Sequence, residues 1–164
     1  IAMARKIGPV EVARKHNSNS VADSEIAENP VFHEVMKQGL HDTTLIDDTY
    51  NANPESVRAA LDFLAATEGK KILVLGDMGE LGPAAVELHR AIGQEARHVG
   101  LNRLLTLGEL STYTAEAFGA GGQHFNSIDD LLNEIAHLLA ADVTLFVKGS
   151  RFMQMERVIK RFEA

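Results

Sequence analysis

Short apolar stretches of strand length alternate about five times with helical patterns between Thr43 and Phe162, and that alternation leaves few folds open. Lys71-Ile72-Leu73-Val74-Leu75 is apolar after its first residue, as a strand is when both faces are covered. Connections that each contain one helix join parallel neighbours and place the helices against the sheet. The expectation is an α/β, Rossmann-like, three-layer domain, with a mainly parallel sheet and helices on both faces.

Predicted strands lie at Thr43–Asp48, Lys71–Leu75, Arg103–Leu107, Gln123–Phe125 and Val143–Val147, with an edge strand at Val31–Lys37 and a turn near Gly39. Helices are predicted from Pro54, over Pro83–Val99, over Ser111–Phe118 with Gly119 as the stop, over Ile128–Ala141 with Ser127 as the cap, and from just after Arg151 to about Phe162. Residues 1–38 read differently. Ile1–Lys15 is helix-compatible but broken by Gly8-Pro9, and His16-Asn17-Ser18-Asn19-Ser20 is a loop signal. The chain divides into an N-terminal segment, 1–38, and a domain, 39–164. Ile1 stands where a complete chain has Met, so a fragment or a processed chain is expected.

Charge excludes some partners. Asp and Glu number 23 and Lys and Arg 16, a net charge of −7, which argues against non-specific nucleic-acid binding and against an anionic membrane surface. No apolar run approaches the length of a membrane span, and Arg5-Lys6 leads into polar sequence, not into a signal-peptide core. Cysteine is absent, so neither a disulfide nor a thiolate metal site is expected, and a cytoplasmic location fits. His89 and His98 lie nine residues apart on one predicted helix, which is not metal-ligand spacing, and the seven histidines read as surface or packing residues.

The ends of the predicted strands carry the polar residues. Asp47-Asp48-Thr49-Tyr50-Asn51-Ala52-Asn53-Pro54, Gly76-Asp77, Gly108-Glu109 and Lys148-Gly149-Ser150-Arg151 each follow an apolar run. In a parallel sheet such ends converge on one edge, where α/β proteins bind ligands. The tandem acids and the carboxamides suit a polar ligand such as a ribose or a phosphate. Gly149 permits close backbone approach, Ser150 and a following helix start can hold an anion, and Arg151 can grip a carboxylate with two parallel hydrogen bonds. Each stretch also has a plainer reading, as helix caps, a flexible loop or solvated cations. Neither Gly-x-x-x-x-Gly-Lys-Ser/Thr nor Gly-x-Gly-x-x-Gly occurs, so a P-loop and a dinucleotide fingerprint are both unsupported.

Taken together, Leu45–Pro54, Val74-Leu75-Gly76-Asp77-Met78-Gly79-Glu80-Leu81-Gly82, His89, Gly93 and Val147-Lys148-Gly149-Ser150-Arg151 resemble the C-terminal domain of the Mur ligase family. The resemblance covers about residues 39–164. The Gly76–Gly82 loop points, within the family, to the member that adds D-alanyl-D-alanine to UDP-N-acetylmuramoyl-tripeptide. Gly79 stands where a larger apolar residue is expected, and Ile1–Gly8 resembles the end of a central-domain helix, whereas residues 9–38 match nothing expected between the two domains.

The resemblance implies an ATP-dependent ligase of peptidoglycan synthesis. ATP phosphorylates the tripeptide carboxylate, and the dipeptide amine displaces phosphate from the acyl phosphate. It also implies that the catalytic groups and the ligands of Mg2+ lie in a central domain, so neither a catalytic residue nor a metal ligand is expected in this chain. Asp48 would contact the ATP ribose and Asn51 would lie beside the adenine. Gly108, Ser111, Lys148, Gly149, Ser150 and Arg151 would lie at the dipeptide site. The implied partners are the two substrates and the protein's own N-terminal and central domains, in a cytoplasmic monomer. The competing reading is a stand-alone, non-catalytic ligand-binding module of flavodoxin-like layout, since such folds reuse the same sheet edge.

Overall fold

A computed structural model describes residues 35–164. The expected helix-compatible stretch Ile1–Lys15, the loop His16–Ser20 and the start of the edge strand at Val31 lie outside the described residues. Six strands form one sheet: β1 (Val35–Gln38), β2 (Thr44–Asp48), β3 (Lys70–Gly76), β4 (Arg103–Leu107), β5 (Gly122–Phe125) and β6 (Val143–Lys148). Five α-helices connect or follow them: α1 (Pro54–Ala65), α2 (Ala85–Ala96), α3 (Ser111–Phe118), α4 (Ile128–Ala136) and α5 (Glu156–Phe162). The sheet order is β1-β2-β6-β3-β4-β5, parallel throughout except for β1, which runs antiparallel to β2. The expected three-layer architecture is the one observed.

Side-chain alternation along the strands divides the core in two. Leu73, Leu75, Ile46, Leu104 and Phe146 pack with Val57, Ala60, Leu61 and Leu64 of α1, Ile92 and Ala96 of α2 and Phe118 of α3. Their neighbours Ile72, Val74, Leu45, Leu105, Leu145 and Val147 pack instead with Leu131 and Ile135 of α4 and Val158, Ile159 and Phe162 of α5. Helices α1–α3 thus cover one face and α4 and α5 the other. Between α2 and α3 the approach is close: a Cβ on Gly93 would stand 2.2 Å from the Thr114 carbonyl oxygen, so only glycine allows this contact. The chain end returns to the β1 edge, where the Ala164 N–H donates to the Gln38 carbonyl and Lys37 pairs with Glu163.

Four expected helix boundaries differ. Chain beyond Ala96 forms tight turns, with the Arg97, His98 and Val99 amides reaching carbonyls three residues back, so α2 is shorter than Pro83–Val99. Gly82–Ala84 precedes it as a 3-10 turn. Helix α4 stops at Ala136 rather than Ala141, because the chain must turn to enter β6. Leu138 and Leu139, which extend the helical pattern in the sequence, pack on the core from that turn. The last helix does not follow Arg151 directly: Arg151–Met153 is a 3-10 turn, Gln154 is left-handed at φ 53°, and α5 starts at Glu156.

Candidate functional site at the carboxyl edge of the sheet

The parallel strands end nearly in register. Asp48 aligns with Lys148, Leu75 with Lys148, Gly76 with Leu107, and Leu107 with Phe125. The loops that follow therefore gather on one edge. Where adjacent strands send their loops to opposite faces, a crevice opens between them. This happens beside β6 on both sides, because β2 and β3 lead to α1 and α2 on one face while β6 leads to α5 on the other. It happens again between β4, which leads to α3, and β5, which leads to α4.

The crevice between β2 and β6 is filled by an ion pair. Lys148 and Asp48 are 2% and 7% exposed, and the Lys148 Nζ donates to Asp48 Oδ2 at 2.7 Å and to the Asn51 carbonyl at 3.0 Å. Lys148 is the last residue of β6 rather than the first of a loop, so the solvated cation of the plainer reading is a buried one. Asn51 itself is exposed, as is Tyr50. Asn53 caps α1 in a reciprocal capping box with Ser56, as its plainer reading expects.

Between β6 and β3 the filling is apolar. A Cβ on Gly149 would lie 2.6 Å from Met155 Cγ and 3.2 Å from the Gly76 Cα, so the two strand ends meet through glycine backbones under a fully buried Met155. Ser150 is buried as well. Its Oγ accepts from the Gly79 N–H at 2.7 Å and donates to the Ala52 carbonyl at 3.3 Å. Because only a three-residue 3-10 turn follows it, the anion-holding helix start expected there is absent. Gly79, with its amide bound to Ser150 and with Phe152 Cε1 3.0 Å from where its Cβ would stand, sits in a tied loop. Arg151 is exposed, with its guanidinium 5.1 Å from the centre of the Tyr50 ring.

The third crevice is open. A cleft of about 550 Å³ is lined by Leu107, Gly108, Glu109 and Thr112 on one side and by His124, Asn126, Ser127, Ile128 and Arg157 on the other. Behind Gly108 stands Asp77, which is 5% exposed. The Asp77 carboxylate accepts hydrogen bonds from the Glu109, Leu110 and Ser111 amides at 2.8–3.1 Å and so caps α3 from a neighbouring strand. Gly108, at φ +124°, allows this approach, since a Cβ there would lie 2.3 Å from Asp77 Oδ1. The Ser111 amide is thus held by Asp77, and its hydroxyl donates to the Leu107 carbonyl. Of the residues expected at the dipeptide site, Gly108 lines the cleft, Arg151 is exposed elsewhere on the edge, and Ser111, Lys148, Gly149 and Ser150 are engaged by the protein itself.

Two cleft residues carry charge chemistry that the sequence reading did not single out. Arg157 donates through Nε to the Gln154 carbonyl and through one terminal nitrogen to the Met153 carbonyl, which orients its guanidinium, and it makes no ion pair among the described residues. His124 Nδ1 lies 2.8 Å from Thr106 Oγ1. Burial pushes the His124 imidazole below its ordinary value of 6.5, against the Asp77 charge, the Gly108 backbone and the Glu116 charge, which pull it up. The cleft therefore holds a neutral histidine at pH 7, the acid Glu109 and, in Arg157, a cation with no ion pair among the described residues. Arg157 sits within a helix whose other charges are solvated, so no pattern in the sequence marks it. Asp77 did carry a signal, as the first polar residue after an apolar strand.

His89 belongs to the architecture, and being buried it is the packing residue that was expected. Its Nε2 accepts from the Met78 N–H at 3.0 Å and its Nδ1 pairs with the Ala85 carbonyl at 2.8 Å, which fixes the proton on Nδ1. It ties the 76–82 loop to α2. Among the described residues no group of three or more His, Asp or Glu side chains is placed to hold a metal ion, and no helix is long and apolar enough to cross a membrane.

Known proteins are similar to this chain in sequence and fold. The family model described as Mur ligase, glutamate ligase domain, matches residues 33–151. The UDP-N-acetylmuramoyl-tripeptide--D-alanyl-D-alanine ligase of Escherichia coli (strain K12) is 38% identical over 121 residues, 73% of this chain and 26% of that protein. Its counterpart in Bacillus subtilis (strain 168) is 32% identical over 124 residues, 71% of this chain and 27% of that one. The crystal structure I of MurF from Acinetobacter baumannii superposes with a TM-score of 0.71 at 29% identity, over 77% of this chain and 28% of that one. MurF ligase from Thermotoga maritima in complex with ADP superposes with a TM-score of 0.65 at 26% identity, over 76% and 29%. The chain spans about a quarter of the length of the relatives it matches. With the matched stretch running from β1 through the end of β6, this chain belongs to the Mur ligase family.

Proposed function

We propose that this chain is the C-terminal domain of an ATP-dependent ligase that joins D-alanyl-D-alanine to UDP-N-acetylmuramoyl-tripeptide in peptidoglycan synthesis, and that it has no activity alone. The observation that carries the reading is the 38% identity to the Escherichia coli ligase over 121 residues. In this account a separate central domain phosphorylates the tripeptide carboxylate with ATP and Mg2+, in the cytoplasm. The present domain supplies no acid, base or metal ligand. It positions the dipeptide amine for attack on the acyl phosphate, and such positioning is worth several kcal/mol, up to about 7–11 in well-oriented systems.

Two sides of the edge divide the work. The 48–53 loop, with the exposed Asn51 and Tyr50, serves the sugar and base of ATP, with Asp48 bracing it from the sheet. The open cleft beside Gly108 serves the dipeptide. D-alanyl-D-alanine carries a carboxylate and an ammonium group, and the cleft offers an oriented guanidinium at Arg157 and a carboxylate at Glu109. Arg157 is a better carboxylate anchor than Arg151, because two backbone carbonyls hold it in place and a geometric fork suits a carboxylate.

The test is to join this chain to the two preceding domains of the ligase and to assay amide formation from ATP, tripeptide precursor and dipeptide. The expected result is dipeptide-dependent phosphate release by the joined protein and none by the isolated chain. No phosphate release by the joined protein contradicts the proposal and favours a stand-alone binding module, and phosphate release by the isolated chain contradicts the claim that it has no activity alone.

A further inference from the structure

We propose that Lys148 is a positioning residue for the 49–53 loop and does not touch the dipeptide. The inference rests on the reading that this loop serves the nucleotide. A lysine directly before Gly-Ser-Arg at a strand end invites assignment to an anionic substrate, but its surroundings assign it otherwise. Lys148 is 2% exposed, and two of its three ammonium donors are spent, on Asp48 Oδ2 and on the Asn51 carbonyl. Too little of the ammonium remains accessible for a substrate carboxylate to reach it.

What Lys148 holds is a stretch of backbone. Its bond to the Asn51 carbonyl fixes one peptide of the loop. Ser150, two residues on, fixes the next through the Ala52 carbonyl. Upstream, Thr49 Oγ1 donates to Asp47 Oδ1 at 2.7 Å, and downstream Asn53 is locked by its capping box. The loop is therefore tied at both ends by its own residues and in the middle by the end of β6. Without the middle ties, Asn51 and Tyr50 would stay exposed but lose their fixed direction. The end of β6 acts as a template for the nucleotide loop, and the ammonium is its strongest tie, since hydrogen bonds from a charged donor are the stronger kind.

The experiment uses the full-length ligase with Lys148→Met, which keeps the stem and removes the three donors. Amide hydrogen exchange is read across residues 50–53, together with KM for ATP and KM for D-alanyl-D-alanine. The expected result is exchange at least tenfold faster in that loop, a KM for ATP at least tenfold higher, and a KM for the dipeptide within twofold of the parent. Because Lys148→Met also removes the charge partner of the buried Asp48 carboxylate, the double variant Asp48→Asn with Lys148→Met is measured beside it. That variant should recover most of the lost melting temperature while keeping the fast loop exchange. Unchanged exchange at 50–53 overturns the positioning role, as does a rise in the dipeptide KM without one for ATP. Faster exchange with an unchanged KM for ATP overturns the nucleotide reading of the loop instead.

Discussion

The crevice beside β2 and the crevice beside β5 arise from the same rule and come out opposite. In both, neighbouring strands send their loops to opposite faces of the sheet. Beside β2 the space is closed by Lys148 and Asp48, which are nearly inaccessible and bond each other at 2.7 Å. Beside β5 about 550 Å³ stays open, and one charged group there, Arg157, is bonded to backbone carbonyls and makes no ion pair among the described residues. Topology thus decides where a ligand could enter, and side chains decide whether it does. A filled crevice converts its polar groups into scaffold, whereas an open one leaves them for chemistry.

If that contrast is sound, damage to the two regions should differ in kind. The largest effect is expected from Asp48→Asn, which leaves the Lys148 cation buried without its charge partner. Breaking a buried pair from one side costs about 3–5 kcal/mol. Urea unfolding of the chain should show the loss, and a change below about 1 kcal/mol would mean that water reaches the pair and the crevice is not closed. Gly149→Ala comes next. Its new methyl would press on Met155 and on the end of β3, with an overpacking cost of about 1–3 kcal/mol by the same measurement. An unaltered midpoint would show that the junction between β6 and β3 has room to yield.

A smaller effect belongs to the open cleft and depends on pH. The folded protein holds His124 below its ordinary value, chiefly by burial. The unfolded chain therefore binds this proton more readily than the folded one. Stability from this source is complete above about pH 6.5 and is lost as pH falls through the lowered folded value. His124→Gln should flatten the slope of unfolding free energy against pH on the acid side of 6.5, compared with the parent. An identical slope in both proteins would show that another group sets the acid sensitivity.

Much of this was legible beforehand, and the reasons are physical. Apolar runs such as Ile72–Leu75 reveal a doubly covered strand, because both faces must be satisfied at once, and they gave the layers, the parallel sheet and the edge at which the loops meet. The positions of Asp48, Asn51, Gly108 and Lys148 on that edge follow from the same argument. Their states do not. Whether Lys148 is solvated or buried depends on β6 running one residue further than its apolar pattern and on a partner one hundred residues away. Gly108 reads as a loop glycine, although its reason is the Asp77 carboxylate reaching across from another strand. Arg157 could not be found from pattern, since what orients it is the left-handed Gln154 turn just ahead of α5.

The central claim, that the open crevice binds while the closed one positions, is tested most directly by steady-state kinetics of Arg157→Ala in the proposed full-length ligase, with each substrate varied in turn. Arg157 is exposed and makes no ion pair among the described residues, so its removal should leave unfolding free energy within about 0.5 kcal/mol of the parent. The account predicts a KM for D-alanyl-D-alanine raised at least about tenfold, roughly 1.4 kcal/mol, with the KM for ATP within about twofold. A dipeptide KM within about twofold of the parent, or a matching rise for both substrates, would contradict it.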